Sequence, residues 1–117
     1  MLARENRLIS ADDFRSTMRT GRKLASNHLV TYLKKESAQG PMRFGFVVAK
    51  SVGGAVSRNL VKRRLRAVAR DLLAEMQTTD NISIVVRALE GAADASFETL
   101  KAEFSTSVQA GVRKLAG

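Results

Sequence analysis

The sequence predicts a single α+β domain over residues 1–117, a small sheet with helices packed on it. Three observations predict it. Apolar residues recur at helical spacing in three segments. Between these segments lie three short runs rich in β-branched and aromatic residues, as strands are. A chain of 117 residues is long enough for one modest core and no more. The expected order is helix, strand, strand, helix, strand, helix.

Residues 1–9 are basic and expected to be extended. Ser10-Ala11-Asp12-Asp13 has the form of a capping box, a hydroxyl at the cap and a carboxylate three residues on. The helix it opens is expected to reach about Arg19 and stop at Gly21. Phe14 and Met18 lie four apart on one side of it, with Arg15 and Arg19 beside them. Residues 20–28 read as a basic loop. His28 is the only histidine and there is no cysteine, so a metal role for it is not expected.

Leu29 to Lys35 reads as a strand, Ser37 to Pro41 as a turn, and Met42 to Lys50 as a second strand forming an antiparallel hairpin with the first. Phe44, Phe46 and Val48 then share one face, with Gly45, Val47 and Ala49 on the other. The next helix is expected to end near Gln77, with Thr78 to Asn81 as the connection. Ile82 to Arg87 is an apolar, β-branched run of the kind found in a covered central strand. The crossover between second and third strands makes that pair an expected parallel one. After a loop from Ala88 to Ala95, Ser96 is placed to cap a last helix. Its apolar positions are Phe97, Leu100, Phe104, Val108, Val112 and Leu115. Its exposed positions are mixed in charge, with Lys101 and Glu103 close together, so it reads as structural.

The most informative stretch is Val52 to Glu75. Val61, Leu65, Val68, Leu72 and Met76 mark one helical face. Arg58, Asn59, Lys62, Arg63, Arg66 and Arg70 fall on an arc about 140° wide at 100° per residue, roughly opposite the apolar set. A merely solvated face would interleave acids to relieve repulsion between like charges at i,i+4. From Ser37 to Arg70 there are eight Lys or Arg and no Asp or Glu. The net charge of +9 is concentrated the same way. Residues 1–70 hold 16 basic and 4 acidic side chains; residues 71–117 hold 4 and 7. That imbalance points to a polyanionic partner, nucleic acid before any other. The apolar face of this helix is Val, Leu and Met rather than the Trp and Phe of membrane-surface helices. No apolar run has the length of a membrane span, and Met1 to Arg7 has no apolar core of a signal peptide. A cytoplasmic protein with no membrane partner is expected.

The segment Ala49-Lys50-Ser51-Val52-Gly53-Gly54-Ala55-Val56-Ser57-Arg58-Asn59-Leu60-Val61-Lys62-Arg63 resembles the signature of the protein subunit of bacterial ribonuclease P. Residue types and spacing agree over about fifteen positions. Three positions depart. The family usually has a second Lys where Ser51 stands, often Asn at Gly54, and a second Arg at Leu60. The resemblance implies a ribosomal-protein-like fold with a left-handed βαβ crossover, where the general rule is right-handed. It implies an RNA-binding subunit that assists a catalytic RNA in removing the 5′ leader of precursor tRNA. The expected partners are that RNA and the precursor tRNA, with no obligate protein partner. Mg²⁺ is then held mainly by the RNA, and the protein lowers the Mg²⁺ requirement.

Two surfaces follow from the resemblance. Arg58, Asn59, Lys62, Arg63, Arg66 and Arg70 would face the catalytic RNA. A cleft between the first helix and the sheet would take the single-stranded leader, with Phe14, Met18, Tyr32 and Phe46 inside it and Lys50 and Arg87 at its edges. From the residues alone, Tyr32 fits two descriptions equally: a packed ring with a polar tip, or a platform for a stacked base. Phe14 and Met18 are, on the same basis, ordinary core residues.

No catalytic residue is expected on the protein. There is no pair of carboxylates at helical spacing, no His/acid pair and no ligand cluster in the sequence pattern. Lys50-Ser51-Val52-Gly53-Gly54 lacks the order of a Walker A loop. The acid-free stretch argues against a protein-held Mg²⁺ there. The alternative function is a basic structural or ribosome-associated RNA-binding protein without a catalytic RNA.

Overall fold

The computed structural model describes residues 2–37, 39–76 and 81–116. The connection expected at 78–81 lies, but for Asn81, outside the described residues, as does Ala38 of the expected turn. The elements are α1 (Ala11–Thr20), β1 (Arg22–Ala25), β2 (Leu29–Lys35), β3 (Arg43–Val47), α2 (Ala55–Glu75), β4 (Ile82–Ala88) and α3 (Phe97–Ala116). Short 3₁₀ turns lie at Arg4–Asn6, Lys50–Val52 and Ala92–Asp94.

The four strands form one mixed sheet in the order β1-β2-β4-β3. β4 pairs antiparallel with β2 and parallel with β3. The parallel pair and the central place of β4 agree with the sequence. β4 is buried on both faces except at Arg87, so a flanking strand on each side satisfies its backbone and covers it. Two expectations are corrected. β2 and β3 do not form a hairpin, because β4 lies between them. Residues 22–25 are a strand and not a loop, paired from Arg22↔Leu33 to Ala25↔Val30. An edge strand needs little apolar content, so this one left no hydrophobic pattern to read.

The ends of the helices follow local chemistry. Ser10 Oγ accepts the backbone N–H groups of Asp12 and Asp13 at 3.1 and 3.4 Å, two of the donors a helix start leaves free. Asp13 does not complete a reciprocal box; its Oδ2 sits 3.5 Å from an Arg43 guanidinium nitrogen. α1 stops at Gly21, whose N–H donates to Thr17 O at 2.9 Å. Ser96 Oγ accepts Thr99 N–H at 3.1 Å and opens α3.

Strand alternation divides the core in two. Leu29, Leu33, Phe44, Ile84 and Val86 face α2 and α3, where Val61, Leu65, Val68, Phe104 and Val108 meet them. The Phe44 and Phe104 rings pack edge-on at 6.0 Å. The opposite face carries a smaller cluster of Leu8, Val30, Tyr32 and Val85, covered in part by Phe14 and Met18 of α1. Burying each such side chain contributes about 1.5–3 kcal/mol, so most of the stability lies on the α2/α3 side. The α1 side is thinly covered. Among the described residues no helix is long and apolar enough to cross a membrane.

Candidate nucleic-acid interface

α2 begins after a glycine pair. Gly53 has φ 152°, a conformation that costs a residue with a side chain, and it turns the chain from the 3₁₀ segment into the helix. Along α2, Val61, Leu65, Val68 and Leu72 are buried. The other face holds the six sequence-predicted residues. Asn59, Arg63, Arg66 and Arg70 are exposed, and Arg58 and Lys62 are half-buried. Arg70 Nε lies 4.0 Å from Asp71 Oδ1. Among the described residues, Arg58, Lys62, Arg63 and Arg66 have no carboxylate partner. Arg64 belongs elsewhere: it donates to the Ala95 carbonyl at 2.8 Å and ties α2 to the turn before α3. Charge that is neither paired nor interleaved with acids raises the local potential and attracts polyanions.

The N-terminal segment completes this surface. It runs beside the outer edge of β3, where Leu8 N–H donates to Phe44 O at 2.9 Å and Arg7 bridges to Phe44. Leu2 is buried at its start. Between it and α2 is a groove of about 610 Å³ lined by Leu2, Arg7, Asn59, Arg63, Arg66, Ala67 and Arg70. The sequence alone does not single out Arg7, since one arginine in a basic terminus carries no spacing. Its place is set by a bridge to a strand 37 residues away.

The expected cleft lies between α1 and the sheet, on the face with the smaller cluster. Cross-strand register puts Lys23, Tyr32, Val85 and Gly45 in one row and Val30, Arg87 and Val47 in the next. Phe14 and Met18 are half-buried over these rows. Phe14 sits directly against Gly45, where a β-carbon would stand 2.4 Å from Phe14 Cζ. Tyr32 is 7% exposed, so it packs beneath α1 and offers no open ring face. Lys50, on the 3₁₀ turn after β3, and Arg87, the one exposed residue of β4, are both accessible.

The expected place of Phe46 is corrected. Its ring points to the other side of the sheet, 6.4 Å from the Phe104 ring, and joins the α2/α3 core. It shares the parity of Phe44, and that parity faces away from α1. Of the six cleft residues, Phe14, Met18, Tyr32 and Arg87 therefore share one face, Lys50 lies on the turn beyond β3, and Phe46 is on the other face.

The two surfaces are continuous. A narrow groove of about 140 Å³ is lined by Arg7, Leu8, Phe14, Phe44, Gly45, Phe46, Lys62 and Arg66. It leads from the Phe14 ring over the β3 edge to the cations of α2. The arrangement offers a polyanion phosphate contacts on one side and an apolar half-exposed ring on the other, as single-strand binders do. Among the described residues there is no group of three or more His, Cys, Asp or Glu able to hold a metal ion.

One ionisable cluster stands apart. Glu103 of α3 is not the surface charge its spacing implies. Its Oε1 accepts from Ser26 Oγ at 2.7 Å and from His28 N–H at 2.8 Å, and its Oε2 lies 2.6 Å from His28 Nδ1. Burial pushes the carboxyl up, but the hydrogen bonds from His28 and Ser26 outweigh it and hold the carboxyl below its ordinary value. Ser26 and His28 both bond to Glu103 and not to each other, so this is a clamp and not a nucleophile–base relay.

Comparison with known proteins bears on this site. The family model described as Ribonuclease P matches residues 2–110. The chain is 43% identical over 117 residues to the "Ribonuclease P protein component" of Pseudarthrobacter chlorophenolicus, covering all of this chain and 85% of that one. It is 40% identical over 115 residues to the protein of the same name from Clavibacter michiganensis, covering 98% of this chain and 100% of that one. Among solved structures, the RNase P protein from Staphylococcus aureus superposes with a TM-score of 0.77 at 23% identity, covering 89% of this chain and 93% of that one. The RNase P protein from Thermotoga maritima gives 0.73 at 24% identity, covering 86% and 92%.

Proposed function

The chain belongs to the ribonuclease P protein family, and from that premise we propose that it is the RNA-binding subunit of a ribonucleoprotein endonuclease that removes 5′ leaders from precursor tRNA. A catalytic RNA carries the hydrolysis. The protein binds that RNA through Arg58, Asn59, Lys62, Arg63, Arg66 and Arg70, together with Arg7, and holds the leader along Phe14, Met18, Lys50 and Arg87. The observation that carries this reading is the continuous groove from Phe14 to Lys62 and Arg66. It lets one protein hold two RNA strands at adjoining positions. Tyr32 supports Phe14 and Met18 from below, and Phe46, packed on Phe104, contributes only to the wall of the connecting groove.

Mg²⁺ belongs in this reading to the RNA. When bound there it supplies the activated water and neutralises developing charge. The protein's own contribution is electrostatic. Cations beside two converging backbones screen their repulsion, which lowers the Mg²⁺ needed to bring them together. Such a subunit works in the cytoplasm, where tRNA precursors are processed.

The test is cleavage of a precursor tRNA at low Mg²⁺ by the ribonuclease P RNA of the source organism, with and without the protein, beside a lane of protein alone. Strong stimulation with no cleavage by protein alone is expected. Tight, salt-sensitive RNA binding without stimulation would return the reading to a general RNA-binding protein.

A further inference from the structure

Several cations on this surface find carboxylates. Arg15 pairs with Asp12, Lys34 with Glu36, Arg43 with Asp13, and Arg70 and Lys101 with Asp71. The unpaired ones outside the cleft fall into two sets on opposite edges of the sheet. One is the α2 stripe beside β3, with Arg4 and Arg7 of the N-terminal segment. The other has no part in the two surfaces above: Arg19, Arg22, Lys23, Arg113 and Lys114. All five are exposed, and among the described residues none has a carboxylate partner.

Three elements bring this second set together at β1. Arg22 and Lys23 are the first residues of that outer strand, with Lys23 opposite Tyr32. Arg19 lies in the last turn of α1, just before it. α3 lies along its other side, where Ala102, Thr106 and Ala110 share a groove with Leu24 and Ala25. Arg113 and Lys114 follow Ala110 by three and four residues, so they continue that same face of α3. Further along, Leu115 shares a groove with Arg22, Lys34 and Lys35. The sequence carries the same sign: from Phe14 to Lys35 there are six Lys or Arg and no Asp or Glu. Cations at a helix C-terminus offset its dipole, and lysines guard strand edges. Neither explains why both devices meet at one edge whose acids are already engaged, Glu103 by Ser26 and His28 and Glu36 by Lys34.

We propose that this β1 edge is a second phosphate-binding surface, and that its occupant is the distal 5′ part of a leader that has already crossed the cleft. The proposal rests on the leader-binding reading above. Its geometry is simple. A strand entering at Lys50 and Arg87 follows the row of Val47, Arg87 and Val30 across the sheet, beside α1 and not over the covered Tyr32. The outer strands are about 14 Å apart at the usual strand spacing, and Lys23 stands where the strand leaves. Arg22, Arg113 and Lys114 lie around that edge, where only nucleotides beyond the cleft reach. Affinity therefore grows with leader length past the point at which the cleft is filled.

The experiment uses the protein assembled with its RNA and a series of precursor tRNAs whose leaders lengthen one nucleotide at a time. Affinity is measured for the wild-type chain and for an Arg22→Ala/Arg113→Ala/Lys114→Ala variant, all three sites being exposed and remote from the core. The wild type is expected to gain affinity in a second step beyond the short leaders. The variant is expected to match it for short leaders and lose that second step. Its salt dependence with long leaders falls by about 0.7 in slope for each phosphate no longer neutralised. A variant that keeps the second step overturns the proposal. So does a variant equally weakened for leaderless tRNA, since the surface then holds the catalytic RNA. If the wild type shows no dependence on a leader of any length, the leader-binding reading itself fails.

Discussion

Phe14 closes over Gly45 so tightly that no side chain fits between them: a β-carbon there would meet Phe14 Cζ at 2.4 Å and Leu8 Cβ at 3.2 Å. The absence of one methyl group sets how deep α1 seats on the sheet. Gly45→Ala is expected to push Phe14 outward and cost about 1–3 kcal/mol, as overpacking does. Thermal unfolding measures the first effect and affinity for a leader-bearing precursor the second. Unchanged leader affinity in a folded variant would remove Phe14 from the binding surface.

Phe46 and Phe14 make a contrasting pair. Phe46→Ala is expected to destabilise by roughly 3–5 kcal/mol or somewhat less given its partial burial, because it leaves a gap beside Phe104. Below its melting temperature the variant should bind a leader as the wild type does. Phe14→Ala should do the reverse, with a smaller loss of stability and a larger loss of leader affinity. Denaturant titration and precursor binding together separate the two.

The stripe on α2 predicts a salt dependence. Arg66→Ala removes an exposed cation shared by both grooves, so stability should change by less than about 0.5 kcal/mol. The slope of log K against log salt for binding the catalytic RNA should shrink by about 0.7–0.9. An Arg64→Ala change, by contrast, should leave the slope nearly unchanged and lower stability through removal of the hydrogen bond to Ala95 O.

The glycine pair before α2 divides into one needed residue and one free one. Gly54 is the cap of α2, has an ordinary φ of −71° and makes no side-chain cap; a β-carbon on it would meet nothing within 4 Å. Gly54→Asn should therefore stabilise the fold by about 0.5–1 kcal/mol, by capping and by restricting the unfolded chain. Gly53→Ala should destabilise, since its φ is 152° and its β-carbon would lie 2.9 Å from Ser57 Cβ. Calorimetry on the two variants gives opposite signs if the assignment holds.

The Glu103 clamp predicts an acid limb. Its carboxyl is held below the ordinary value of 4.5, so the folded state favours the ionised form. The stabilisation is fully present above that ordinary value and is lost as pH falls through the lower folded one. Glu103→Gln removes the charge, so its stability deficit relative to wild type should be constant near neutral pH. The deficit should shrink below about pH 4.5. A deficit that persists unchanged into acid would mean the clamp does not act through the carboxylate charge.

The sequence by itself determined what is local. α2 shows its two faces because a 3.6-residue repeat prints burial and charge directly on the chain, and the run of cations from Arg58 to Arg70 needs no partner to be seen. Ser10 and Ser96 mark helix starts because a cap acts within three residues. The apolar run at Ile82 to Val86 announces a covered strand. Only the tertiary structure decided what depends on distant pairing. The insertion of β4 between β2 and β3 sets which strands touch, and no strand carries its neighbour's name. The weak alternation of Arg22 to Ala25 becomes a strand only because β2 offers it a free edge. Phe46 and Phe14 look alike as aromatic residues, yet sheet parity sends one to Phe104 and leaves the other over Gly45. Glu103 and His28 are 75 residues apart, and Arg7 reaches the α2 surface only by bridging to Phe44. Periodicity is a property of neighbours along the chain, whereas registers, clamps and grooves exist only once separate elements pack together.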